Sequence, residues 1–121
     1  MNSAKVKAAL GEAMAIEGAL GACLVDYQSG MTLGTAGNTG TDLEMAAAGT
    51  TEVVRSKLRA MGALGLKDRI EDMLFTLETQ FHFVRMVKDT GSLFLHLALG
   101  KGPANLGMAK FQLSSAEQKL S

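Results

Sequence analysis

Apolar residues recur at spacings of three and four at the start of the chain: Val6, Leu10, Ala13, then Ile16 or Glu17. That period predicts an amphipathic helix, with Ser3 as its N-cap. Gly18 and Gly21 end it. Two short strands follow, Ala22 to Asp26 and Met31 to Ala36, around the tetrapeptide YQSG. Gly in the fourth place suits a type I turn closed by a left-handed residue, which is a hairpin connection.

The next segment, TDLEMAAAGTTEVVRSKLRAMGALG, opens with Thr41 and Glu44 three residues later, a capping box. The long helix it starts has two stripes. Leu43, Ala47, Thr50, Val54, Leu58 and Met61 form a face for a sheet. Ala46, Gly49, Val53, Ser56 and Ala60 form a stripe of small residues, along which another helix can approach closely. A mid-helix glycine costs roughly 1 kcal/mol against alanine, so close packing accounts for Gly49 better than indifference does.

Residues 70–78 read IEDMLFTLE. Met73, Phe75 and Leu77 point to one side of this strand, and Leu74 and Thr76 to the other. Apolar faces on both sides require cover above and below, whereas the flanking Glu71, Asp72 and Glu78 are the guard charges of an exposed edge. The pattern is consistent with an interior strand or with an edge that something else covers. QFHFVRMV and SLFLHLALG then flank KDTG, and pairing Lys88 with Ser92 sets their register. One face receives Phe81, Phe83, Leu93, Leu95, Leu97 and Leu99, together with Arg85 and Val87. The other receives His82, Val84, Met86, Phe94, His96 and Ala98. A last helix is expected from Pro103, with Leu106, Ala109, Leu113, Ala116 and Leu120 at helical spacing. Helix, two strands, helix, three strands and helix make an α+β domain, a three-layer α/β/α sandwich around a five-stranded antiparallel sheet.

Composition narrows the chemistry. At 121 residues and 47% apolar content the chain can bury a core, and a single domain spanning 1–121 is expected. Twelve basic and twelve acidic residues, the basic ones scattered, lack the footprint of a nucleic-acid binder. The first residues carry Lys5, Lys7 and Glu12 instead of a secretory apolar run, and no stretch approaches the ~18 apolar residues of a membrane span. No membrane insertion and a cytoplasmic location are therefore expected. Cys23, the only cysteine, lies in an apolar run and reads as a small buried hydrophobe. GTAGNTG is neither a phosphate loop nor a dinucleotide fingerprint. His82 and His96 share a face, but Val84, Met86, Phe94 and Ala98 offer no third metal ligand. No nucleophile has a base, and Glu71 and Asp72 point to opposite faces. No catalytic, metal or cofactor constellation is expected, and the chain reads as a binding module, not an enzyme.

Two stretches then carry a resemblance. GALGACLVDYQSGMTLGTAG resembles the opening hairpin of Roadblock / dynein light chain domains. HFVRMVKDTGSLFLHLALGKGPANLGMAKFQL resembles their closing hairpin and last helix, including the run from Asn105 to Lys110, where many members show Arg in place of Lys110. The likeness covers nearly the whole chain. It implies a profilin-like sheet with the long middle helix on one face and the two terminal helices on the other. It also implies a homodimer in which the third strand pairs with its twin and the two middle helices lie side by side. Carried onto this sequence, the interface is Ala46, Gly49, Val53, Ser56 and Ala60 of the middle helix with Met73, Leu74, Phe75, Thr76 and Leu77 of the third strand.

The resemblance to short bacterial members further implies a noncatalytic homodimeric adaptor or regulator of a Ras-like small GTPase. Glu52, Arg55 and Arg59 fall on a third stripe of the middle helix, where they would present charge to that GTPase or form a solvated face. Any effect on hydrolysis would come from positioning the GTPase's own residues. The dynein-associated members imply an alternative, a scaffold subunit of a motor or signalling complex that binds a peptide or another Roadblock-type chain without nucleotide dependence. A small-ligand sensor is a third class, and it would need a cavity.

Overall fold

The computed structural model describes residues 1–121 except Thr39, Thr41 and Asp89. Its elements are α1 (Ser3–Met14), β1 (Ala19–Asp26), β2 (Thr32–Gly37), α2 (Leu43–Ala63), β3 (Asp72–Thr76), β4 (Gln80–Met86), β5 (Leu93–Gly100) and α3 (Leu106–Gln118). The strands form one antiparallel sheet in the order β2-β1-β5-β4-β3. The expected α+β fold class is what is found.

The β4–β5 register is the expected one: Phe81 lies opposite Leu99, Phe83 opposite Leu97, and Met86 opposite Phe94. Alternation then separates two cores. Val6, Leu10 and Ala13 of α1 and Ala109, Leu113 and Ala116 of α3 bury Leu24, Phe81, Phe83, Leu95, Leu97 and Leu99 on one face. On the other face, Ala47 and Val54 of α2 cover Cys23, Val25, Val84, Met86 and Phe94. The central strand β5 is buried on both sides from Leu93 to Leu99.

The helix starts depart from expectation because the short side chain that best reaches the free N–H groups takes the cap. α1 is capped by Asn2 rather than Ser3, its side chain accepting from the Ala4 amide at 2.7 Å. The expected capping-box residue Thr41 lies outside the described residues. The cap of α2 is Asp42, whose Oδ1 accepts from the Glu44 and Met45 amides at 3.0 and 3.2 Å. α3 starts at Leu106, not at Pro103, because Asn105 Oδ1 accepts from the Met108 amide at 3.0 Å.

The β1–β2 turn forms as expected. Gly30 takes a φ of +79°, and its amide donates to the Asp26 carbonyl at 2.7 Å. Ser92 Oγ donates to Asp26 Oδ1 at 2.6 Å, tying this turn to the start of β5. At the β2 edge of the sheet, Gly34 lets α1 lie against the strand. A Cβ there would sit 2.8 Å from Val6 Cγ1 and 3.0 Å from Leu10 Cδ1. Gly34→Ala is expected to lower unfolding free energy by about 1–3 kcal/mol through overpacking. Urea denaturation checks it, and an unchanged midpoint would mean that α1 yields freely.

Candidate protein-interaction surface

β3 is an edge strand: it pairs with β4 on one side only. Met73 and Phe75 lie opposite Val84 and His82 on the α2 face, where they pack half-buried against that core. Leu74 and Thr76 lie opposite Phe83 and Phe81 on the other face, and Leu74 is 41% exposed. Leu77 falls just beyond the strand, in the turn to β4, and is also exposed. The strand is therefore an edge that carries apolar groups on both faces.

On α2, Ala47, Thr51, Val54 and Met61 are buried. The small-residue stripe faces outward: Gly49, Ser56 and Ala60 are exposed, Val53 is 43% exposed and Ala46 is half-buried. A Cβ built on Gly49 meets nothing within 4 Å. This chain alone therefore gives no packing reason for a glycine in the middle of its longest helix.

The three residues expected as a charged partner surface have different surroundings. Arg55 Nε donates to the Tyr27 carbonyl at 2.7 Å and Nη2 to the Gln28 carbonyl at 2.8 Å, so its guanidinium clamps the β1–β2 turn onto α2. Its Nη1 pairs with Glu52 Oε1 at 3.1 Å. Arg59 lies with Lys57 and Glu52 along a shallow groove on the exposed side of α2. Arg55 thus has a structural role that helical spacing does not reveal, because its acceptors come from a distant turn.

A second cluster anchors the β3 edge. Glu117 of α3 is 9% exposed; its Oε1 accepts from Arg85 Nε at 2.7 Å and its Oε2 from the Lys88 amide at 2.9 Å. Arg85 Nη1 and Lys110 Nζ lie 3.4 and 3.5 Å from Asp72 Oδ2. Lys110, where the resemblance had Arg, thus keeps an ion pair to β3. Asp72 is as much a tie to α3 as a guard charge.

Burial leaves the remaining candidate groups uncharged. The Cys23 thiol is pushed up to about 12 by burial, which keeps it protonated and unreactive. His96, 7% exposed, is pulled down to about 4, chiefly by burial and then by repulsion from His82. His82 is lowered by burial as well. The His96 and His82 rings stand 5.2 Å apart, Nδ1 of His96 lies 3.0 Å from Thr50 Oγ1, and Nε2 of His82 lies 2.8 Å from Gln80 Oε1. β1 places Cys23 directly opposite His96, a neighbour that the register of the second hairpin alone does not reveal. Even so, no group of three His, Cys, Asp or Glu that could hold a metal is found among the described residues. No helix among them is long and apolar enough to cross a membrane.

An antiparallel sheet covered by one long helix on one face and two terminal helices on the other is a profilin-like sandwich. Among known proteins, no family model and no curated protein matches this sequence. Solved structures do match. MglB of Myxococcus xanthus superposes with a TM-score of 0.84 at 17% identity, over 97% of this chain and 85% of that one. An MglB solved in a tetrameric arrangement gives 0.79 at 20% identity, over 99% and 90%. The Roadblock/LC7 domain from Streptomyces avermitilis gives 0.78 at 14% identity, over 91% and 88%. The chain has the Roadblock/LC7 fold.

Two expectations follow from these contacts. Glu117→Ala strips Arg85 and the Lys88 amide of their acceptor, which should cost about 3 kcal/mol of stability in chemical denaturation. The second concerns pH. His96 is neutral in the fold down to about 4, whereas an unfolded histidine protonates near 6.5. Unfolded chain thus binds more protons within that window, so stability is full above 6.5 and falls as the pH drops toward 4. The loss attributable to His96 is about 3 kcal/mol. Urea midpoints at pH 7 and pH 4.5 check it, and a His96→Gln chain should show the smaller difference.

Proposed function

We propose that residues 1–121 form one Roadblock-type unit that pairs with a second copy through β3 and α2. As a noncatalytic homodimer, it binds a Ras-like small GTPase and modulates that protein's activity or location. The observation that carries the reading is one edge strand apolar on both faces together with a long helix whose outward stripe is small. An isologous contact, β3 beside β3 and α2 beside α2, would give the open strand a partner and Gly49 a packing reason. Self-assembly within this fold has a precedent in the MglB of tetrameric arrangement.

In this reading Ala46, Gly49, Val53, Ser56 and Ala60 meet their twins, and Met73 to Leu77 become interior. Glu52 and Arg59 remain at the rim of the paired helices with Lys57, and they offer the GTPase mixed charge that steers docking more than it holds it. Arg55 contributes indirectly by fixing the turn beside them. Any effect of such a surface on hydrolysis comes from positioning the GTPase's own residues.

Gly49→Leu separates the self-pairing from folding. Within one chain the new Cβ meets nothing within 4 Å among the described residues, and the helix gains about 1 kcal/mol of propensity, so the monomer should be more stable. Between chains it should weaken association at least tenfold by sedimentation equilibrium. Wild-type chain that stays monomeric at micromolar concentration would sink the homodimer. For the partner, wild-type chain is used to capture GTPases from cells loaded with a GTP analogue or GDP. Capture that depends on the nucleotide and falls several-fold with Arg59→Glu is expected. A dimer that captures no GTPase but retains an extended peptide or another chain of this fold would replace the regulator by a scaffold.

A further inference from the structure

Between the first turns of α2 and the sheet lies a cavity of about 90 Å³. Small residues make the space: Gly21 of β1, Ala46 of α2 and Ala98 of β5 converge on it, and Leu43 walls one side. The two imidazoles, His82 and His96, line it. Each ring is fixed through one nitrogen, Nε2 of His82 by Gln80 and Nδ1 of His96 by Thr50. Among the described residues the other nitrogens, Nδ1 of His82 and Nε2 of His96, have no partner. No fully buried side-chain nitrogen or oxygen among them lacks one, so these two are reachable and not sealed in protein.

The lining sets the class of occupant. It includes no charged side chain among the described residues, and burial keeps both rings neutral at pH 7. An ion would be desolvated there with no opposite charge to meet it. A largely apolar wall with two neutral imidazoles in it suits a compact neutral molecule. The volume equals about three waters at liquid density. We propose that this cavity binds one small uncharged molecule, of roughly three to five heavy atoms, with an apolar body and a single hydroxyl or N–H group held between His82 and His96. All of the lining comes from one chain, and Ala46 is the one residue that the cavity shares with the proposed α2 interface.

2-Propanol is a suitable probe, titrated into the wild-type chain at pH 7 by calorimetry and by long-range ¹H–¹⁵N spectra of the imidazoles. Saturable one-to-one binding is expected, with shifts confined to the free nitrogens of His82 and His96. Ala98→Leu fills the cavity and should weaken binding at least tenfold. His82→Phe keeps a ring but removes the polar contact, and it should weaken binding comparably. It decides the question if Ala98→Leu does not fold. No saturation by about 10 mM, the weak end for so small a ligand, overturns the proposal, as does equal affinity in the folded variants. Zn²⁺ shifting both rings where 2-propanol does not would overturn it in favour of a metal site.

Discussion

The apolar content of β5 on both of its faces organises this molecule. Leu93, Leu95, Leu97 and Leu99 point one way, Phe94, His96 and Ala98 the other, and none reaches solvent appreciably. Burial of one such leucine or phenylalanine contributes about 1.5–3 kcal/mol, so neither face can be left to water. β5 therefore sits at the centre of the sheet, with β1 and β4 beside it and helical layers above and below. The two layers differ in chemistry. Beneath α1 and α3 the core is aliphatic and aromatic, mostly leucine and phenylalanine with Ala22 and Val87, whereas beneath α2 it includes a thiol, two imidazoles and a threonine.

The same demand for cover divides the two edges of the sheet. At β2, α1 lies so close that Gly34 cannot carry a side chain without displacing Val6 or Leu10. At β3 the charges of Asp72, Arg85, Lys110 and Glu117 tie the strand to α3, but Leu74 stays exposed. The network holds the edge in place without covering it. α2 shows a similar incompleteness, since its small stripe faces outward in the single chain. These two unfinished surfaces underlie the proposed association. Arg55 serves the fold instead, holding a hairpin turn by its carbonyls.

Polar groups inside the α2 layer are satisfied in a way that leaves function open. Thr50 and Gln80 each engage one imidazole nitrogen, which positions both rings beside a small space that they line. Neutral rings in an apolar site suit recognition of an uncharged group. The protonated thiol of Cys23 adds bulk to that site and no reactivity.

Local pattern determined much of the structure. The three-four spacing of Val6, Leu10 and Ala13, the alternation of Phe81 to Leu99 and the glycine-closed turn at Gly30 led to the helices, the hairpin registers and the α+β class. The two-sided apolar pattern of residues 72–77 and the small stripe of α2 were legible for the same reason: period alone assigns residues to faces. Caps were read one or more residues away, because Asn2, Asp42 and Asn105 compete with equally suitable neighbours and only the backbone path decides which oxygen reaches an amide. The pairing of β1 with β5 was not legible at all, since strands far apart in sequence are brought together by burial over the whole sheet. That pairing sets Cys23 against His96 and opens the cavity beside His82, just as the tertiary fold brings Arg55 to a distant turn and Glu117 to Arg85. Sequence determined which residues share a face; tertiary structure decided which faces, turns and charges meet, because those meetings depend on contacts that no local period encodes.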